Sequence, residues 1–186
     1  MQRRHRKKLP MIWLMTDERV GDAALLAAVA RLPKGKAGII FRHYRTAAKE
    51  RRALFDRVAR IARRRRLVLM LGGTARQARG WRADGWHGGD GRRVGEALLH
   101  SRPVHDGREM IAALRRRADL VFLSPLFPTR SHPGGRALGR ARFAALARRA
   151  DMPVIALGGV RAAHRPMLKG IGASGWAAID GLSVEG

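Results

Sequence analysis

The chain contains no cysteine, which excludes a disulfide scaffold, a thiolate zinc site and a cysteine nucleophile. Acidic residues are scarce: 14 Asp and Glu stand against 39 Lys and Arg in 186 residues, a formal net charge of +25. Aromatic residues are few as well, with 4 Trp, 1 Tyr and 5 Phe, mostly inside apolar runs. That leaves no stacking platform for unpaired bases. No apolar run approaches the roughly 18 residues of a membrane-spanning helix. Zinc-finger spacing, an RNA-recognition aromatic motif and a helix-turn-helix pattern are all missing.

What the chain does have is apolar surface. With 46% hydrophobic residues it is no disordered polycation, and its length suits one domain with a substantial core. The opening MQRRHRKK followed by LPMIWLM has the charge order of a signal peptide, but its apolar run ends at Thr16-Asp17-Glu18-Arg19 with no small-residue cleavage site close behind. It reads as a basic tail, residues 1–8, leading into a first strand at Leu9–Met15. Residues 9–186 then form a single domain, with a cytoplasmic setting expected.

The positive charge attracts polyanions in a salt-dependent way. Yet the basic residues, almost all Arg, are spread along the chain and densest in helix-like stretches such as Lys49–Arg66 and Arg115–Arg117. Within Thr46–Arg66, Leu54, Val58 and Ile61 make one apolar stripe with Arg opposite, the pattern of a solvated outer helix. Non-specific attraction is expected. Specific nucleic-acid recognition and membrane binding are not.

Short apolar runs alternate with amphipathic stretches. The runs are Ile12–Met15, Gly38–Phe41, Leu67–Leu71, Gly85–His87, Pro103–His105, Leu120–Ser124, Val154–Leu157 and Gly175–Ile179. Helical patterns fall between most of them, as in Asp22–Leu32, Gly107–Arg117 and Ala141–Ala150. Buried strands joined by crossover helices imply a parallel sheet. Eight such units predict a compact (β/α)8 TIM barrel lacking a full eighth helix, with its active site at the C-terminal strand ends. A doubly wound open sheet is the other arrangement, but no GxGxxG follows an early strand.

Two strand ends stand out. Ile155-Ala-Leu-Gly-Gly159 closes a buried strand on two glycines, and Ala177-Ala-Ile-Asp180 ends the last one. Loops at these places in barrels often hold phosphate on backbone N–H groups. Gly158, Gly159 and Ile179 are therefore phosphate-binding candidates, although the glycines could equally serve only to turn the chain. The Gly/Pro-rich stretch Ser124-Pro-Leu-Phe-Pro-Thr129, Arg-Ser-His-Pro-Gly-Gly135 and Leu138-Gly139 is a long loop, and such loops tend to be functional.

That loop resembles the FGPVFPTxTKPGxxxLG stretch of the thiamin phosphate synthase and thiazole tautomerase family. Further likenesses run in order through residues 11–182: Ile12-Trp-Leu-Met-Thr-Asp17 with LYLVTD, Ile39-Ile-Phe-Arg42 with VQLR, and Ala83-Asp-Gly-Trp-His87-Gly with GADGVHLG. Pro153-Val-Ile-Ala-Leu-Gly-Gly159 is similar to PVVAIGG, and Gly172-Ala-Ser-Gly175 to GADG. The resemblance implies a TIM barrel of thiamin biosynthesis that takes a small phosphorylated thiazole-type ligand. It leaves a homodimer open.

The departures bear on chemistry. In the coupling enzymes of this family, Mg²⁺ assists the loss of diphosphate, and the resemblance places an Asn-Asp pair where Gly72-Gly73 stand here, an Asp at Arg92, a Gln at Ile40 and a Lys at Tyr44. Without those groups a hard cation loses its oxygen ligands. No metal or cofactor is expected, and Mg²⁺ would enter only if coupling survived. Asp180 replaces a Ser, and Ser131-His132 replace Thr-Lys. The family's thiazole tautomerases need less: they use a histidine within SVHS, and Pro103-Val-His105-Asp106 matches it. The resemblance thus makes His105 the catalytic candidate, suited to it by an unperturbed pKa near ~6.5. Arg42, His87, Thr129, Ser131 and His132 become the substrate-binding candidates. His43 divides between pocket and surface, and His5, His100 and His164 follow no pattern. Three readings follow: a tautomerase-like protein, a coupling enzyme with an altered site, or a degenerate barrel that binds a phosphorylated ligand or an anionic partner.

Overall fold

The computed structural model describes residues 9–88, 98–129 and 136–179. Eight parallel strands close into a barrel in chain order: β1 Ile12–Met15, β2 Ala37–Phe41, β3 Val68–Gly72, β4 Gly85–His87, β5 Leu99–Val104, β6 Leu120–Leu123, β7 Val154–Ala156 and β8 Gly175–Ala178. The barrel shuts where β1 pairs with β8, Ile12 opposite Trp176 and Leu14 opposite Ala178. The helices between them are α1 Asp22–Arg31, α2 Ala48–Arg64, α3 Ala75–Gly80, α4 Gly107–Arg115, α5 Gly139–Ala147 and the four-residue α6 Arg165–Leu168. The eighth-helix expectation falls on residues 180–186, outside those described.

Strand alternation divides the apolar residues into three groups. Trp13, Met15, Ile40, Met70, Leu120, Phe122, Ile155 and Ala177 fill the barrel interior. Trp13 meets Phe122 edge-on at 5.5 Å, and Gly38 leaves the room, since a Cβ there would sit 2.4 Å from the Trp13 ring. Outside the wall, Leu14, Ile39, Phe41, Leu69 and Leu71 pack under α1 to α3. Val121, Leu123, Val154, Ala156 and Trp176 pack under α4 to α6. The outer layer is thus two half-shells around one filled core.

The helices pack much as their stripes predict. In α2, Leu54, Phe55, Val58, Ala59 and Ala62 are buried, a wider face than Leu54–Val58–Ile61 alone, while Ile61 packs half-buried at its edge. Most strands differ from the expected bounds by a residue at one end or both, and two differ by more. The first begins at Ile12 rather than Leu9, because Pro10 has no N–H to give a ladder and its carbonyl instead accepts the Trp13 indole N–H at 2.8 Å. The fifth spans Leu99–Val104, so His105 follows the strand instead of ending it.

Parallel strands and returning helices give the barrel two unlike ends. The C-terminal strand ends form an upper rim, and the helix-to-strand turns form a lower face. On that lower face two turn carboxylates bond the neighbouring strand, Asp84 accepting the Leu69 N–H and Asp119 the His100 N–H, each at 2.8 Å.

Candidate active site

Arg42, His87, His105, Thr129, Gly158, Gly159 and Ile179 all lie at or just beyond the C-terminal ends of their strands, so barrel closure brings them to one rim. Ser131, His132, Arg92 and Asp180 lie outside the described residues.

Arg42 follows β2. Its backbone N–H donates to Thr16 Oγ1 at 2.9 Å and its Nε donates to the Thr16 carbonyl at 2.8 Å. Those two bonds fix the side chain and leave its terminal N–H groups for an anion. Burial pushes its pKa down from the ordinary value, yet a guanidinium stays charged in proteins. His43 turns the other way: it is buried, stacks on Phe41 with centroids 4.7 Å apart, and shares a 2.9 Å hydrogen bond between Nδ1 and Thr16 Oγ1. Its burial overturns the surface alternative.

His87 ends β4 and lies buried below the rim. Its Nδ1 is 2.9 Å from Ser101 Oγ, and its ring stands edge-on to Phe122 at 5.3 Å. Burial first, then the neighbouring charge of Arg42, holds its pKa at about 3. A ring so placed is neutral at any physiological pH, which suits lining and packing rather than general-base work.

His105 is exposed at the start of the loop into α4. Its Nδ1 lies 2.8 Å from Glu109 Oε2, and the same oxygen accepts its backbone N–H at 2.6 Å. An ionised carboxylate only accepts, so Nδ1 carries a proton, and in the neutral tautomer the lone pair sits on Nε2. Asp106, next in sequence, does other work: it caps α4, accepting the Glu109 N–H at 2.9 Å. That cap holds Glu109 one turn from His105. The His105–Glu109 pairing escaped the strand-end motifs, although the four-residue spacing across a helix start is a readable signal.

Gly158 and Gly159 adopt φ of +86° and +64°. A Cβ on Gly158 would lie 2.7 Å from Pro125 Cα, and one on Gly159 would lie 2.6 Å from the Pro128 carbonyl oxygen. The loop after β6 is the cause. It lies across them, with Leu126 donating to the Leu157 carbonyl at 2.9 Å and Phe127 to that of Gly158 at 3.0 Å. Among the described residues no backbone carbonyl accepts the N–H of Gly158, Gly159 or Val160. Two successive left-handed residues turn their N–H groups to one side, the backbone shape of an anion-binding concavity. Thr129 sits half-buried at the far end of the crossing loop, and Ile179 half-buried after β8.

Between β2 and β3 the rim is closed by Tyr44 together with Arg51 and Trp81, two residues that motif matching passed over. Arg51, in the first turn of α2, donates from Nη2 to the Gly72 carbonyl at 2.6 Å and to that of Arg42 at 3.1 Å. Its guanidinium lies 5.2 Å from the Trp81 ring and 5.9 Å from that of Tyr44. Tyr44 leans over Gly72 so closely that a Cβ there would be 2.6 Å from its hydroxyl.

A family model described as thiamine monophosphate synthase matches residues 12–182. The chain is 30% identical to a thiamine-phosphate synthase of Salinispora arenicola, over 94% of this chain and 90% of that one. To the Salinispora tropica thiamine-phosphate synthase it is 31% identical, with the same coverage. Among solved structures it is similar to a thiamine phosphate pyrophosphorylase from Pyrococcus furiosus, TM-score 0.77 at 19% identity, over 94% of this chain and 88% of that one. That last likeness concerns the fold alone. No helix among the described residues is long and apolar enough to cross a membrane.

Proposed function

The chain belongs to the thiamine monophosphate synthase family of thiamin biosynthesis, and on that footing we propose that it binds a phosphorylated thiazole-type ligand and moves a proton on it, with His105 as the proton-transfer group. The observation that carries this reading is the Glu109 carboxylate on His105 Nδ1, which commits Nε2 to act as the base. Nε2 takes the proton from the ring carbon, Glu109 steadies the imidazolium, and the same nitrogen returns the proton elsewhere on the ring. The phosphate is held by the N–H groups of Gly158, Gly159 and Val160, with Ile179 beside it. Arg42 takes a carboxylate, and His87 and Thr129 border the ligand, with Ser131 and His132 as further binding candidates from the sequence. A cytoplasmic setting and a small-molecule partner belong to this reading.

The relatives' printed activity, thiamine-phosphate synthesis, is the competing reading. Coupling in this family uses Mg²⁺ to supply charge at the departing diphosphate. The β2–β3 corner does not fit that ion. Gly72 and Gly73 bring no side-chain oxygen, the space above Gly72 holds Tyr44, and the Gly72 carbonyl already accepts a hydrogen bond from a guanidinium. No step is routed through a metal.

The test is a thermal-shift comparison of thiazole phosphate, pyrimidine pyrophosphate and inorganic phosphate, followed by NMR of proton exchange on a carboxylated thiazole phosphate. Stabilisation by the thiazole phosphate and exchange lowered at least ~10²-fold by His105→Ala, at unchanged phosphate binding, support the proposal. Equal exchange in both proteins removes His105 from the mechanism. No response to any phosphate favours the degenerate barrel.

A further inference from the structure

The topology sorts the charges. Asp17, Glu18, Asp22, Glu50, Asp106 and Glu109 all lie just after a strand or in the first turn of a helix, on the side of the upper rim. Every described helix-to-strand turn, by contrast, carries cations at or beside it. At the lower face the carboxylates of Asp84 and Asp119 accept the backbone N–H groups of Leu69 and His100, so they are engaged with the barrel wall. Even counting the exposed Asp151 before β7, the described lower turns carry cations in clear excess over carboxylates.

A basic residue in the last turn of a helix is ordinary, since it meets the negative end of the helix dipole. The residue after the helix is not explained that way. Four turns share one hydrogen-bond pattern: Leu67 to Ala62, Ala83 to Ala78, Ala118 to Ala113 and Ala173 to Leu168, each from N–H to carbonyl at 2.9–3.1 Å. The residue before each donor is left-handed. One turn uses Gly172, with φ +81°, while the other three use Arg66, Arg82 and Arg117, with φ +54°, +56° and +50°. A long side chain is strained in this region, which is why glycine is its usual occupant. Arginine holds the place in three of four equivalent turns, all exposed on one face.

We propose that the lower face of the barrel, centred on the turns of Arg66, Arg82 and Arg117, is a docking surface for the phosphate backbone of duplex nucleic acid, read without regard to sequence. Arginine favours this partner because its planar fork matches phosphate oxygens. The large apolar side chains exposed among the described residues are Met11, Tyr44 and Ile111. Of these only Met11 lies at the lower end, so the face offers no exposed aromatic ring to unpaired bases and little to insert into lipid. Docking there leaves the upper rim open to a small ligand, and the surface stands or falls independently of His105.

The experiment is fluorescence anisotropy with labelled duplex RNA, duplex DNA, a permuted sequence of each, a single strand and phosphatidylserine vesicles, from 50 to 200 mM salt. Both duplexes should bind irrespective of sequence. In R66G/R82G the slope of log affinity against log salt should shrink by about 2, with affinity falling at least ~10-fold at low salt. Because glycine relieves the backbone, its melting temperature should hold or rise. R66Q/R82Q removes the same charge while retaining the strain and should lose affinity equally. R140Q/R142Q, at the start of α5 near the upper rim, should lose much less. The proposal fails if R66G/R82G binds like wild type, if the rim variant loses as much, or if vesicles or the single strand outcompete the duplexes.

Discussion

Lowering the pH should destabilise this barrel through His87, and the size of the effect follows from its burial. In the unfolded chain the imidazole titrates near its ordinary 6.5; in the barrel it is held neutral down to about 3. Below pH 6.5 the unfolded state therefore binds a proton that the folded state refuses. The stability from this group is present above pH 6.5 and is lost as pH falls toward 3. The slope is ~1.4 kcal/mol per pH unit, so the pH 6.5 to 5 interval costs about 2 kcal/mol. Asp17, held at about 2 chiefly by its hydrogen bond to Arg19, contributes stability above its ordinary 3.8 that is lost as pH falls toward 2, below this window. His43, lowered mainly by burial, acts in the same direction as His87 and is separated from it by mutation. Urea unfolding at pH 7, 6 and 5 should show wild type losing about 2 kcal/mol more than His87→Gln over that range. The glutamine amide can still reach Ser101, where the ring now bonds. Parallel losses in the two proteins would refute the assignment, as would an NMR titration of the His87 ring above pH 5.

Mg²⁺-dependent coupling of a pyrimidine pyrophosphate to thiazole phosphate should be absent or very weak in a direct turnover assay, because the β2–β3 corner lacks oxygen ligands. Gly72→Asn alone should lower stability, since its Cβ would lie 2.6 Å from the Tyr44 hydroxyl. Adding Tyr44→Lys should recover at least ~1 kcal/mol, a coupling that a double-mutant cycle of urea melts measures. Gly158→Ala should cost about 1–3 kcal/mol, through its φ of +86° and the 2.7 Å approach to Pro125, and should weaken phosphate binding in the thermal-shift assay.

The order of the strands was legible because most are plain apolar runs, whose period and length leave little choice. The fifth was hidden by its own chemistry. His100, Ser101 and Arg102 look like loop residues, yet His100 stacks on Trp86 at 4.2 Å and Ser101 bonds the His87 ring. Their polarity is satisfied inside the structure, which a hydropathy pattern cannot show. The rim positions of Arg42, His87, His105 and the two glycines were readable from strand ends alone. What each side chain meets there was not. Asp106 adjoins His105 in sequence, but a residue at a helix N-cap turns back on its own helix, and Glu109 reaches the imidazole. Arg51 looked like one more cation on a solvated helix. Only the three-dimensional closeness of the α2 start to the end of β3 brings it to the rim.

The same corner bears on whether the lost family groups signal decay. A site that had merely drifted would leave open space where side chains were removed and polar groups without partners. Here the removal at position 72 coincides with a larger ring at position 44 that occupies the space, and with a guanidinium that binds both adjoining carbonyls. The fit is close but incomplete, since Arg51 Nε remains buried without a partner. The departures fall in more than one part of the site. Those seen at this corner belong to the groups that the family resemblance ties to metal and diphosphate. The left-handed turn at Gly158 and Gly159, the Arg42 guanidinium and the His105–Glu109 pair are present at the same rim. Asp180 and Ser131-His132 stand in place of the family's Ser and Thr-Lys in the other half, so the repacking seen here bears on the metal and diphosphate groups alone.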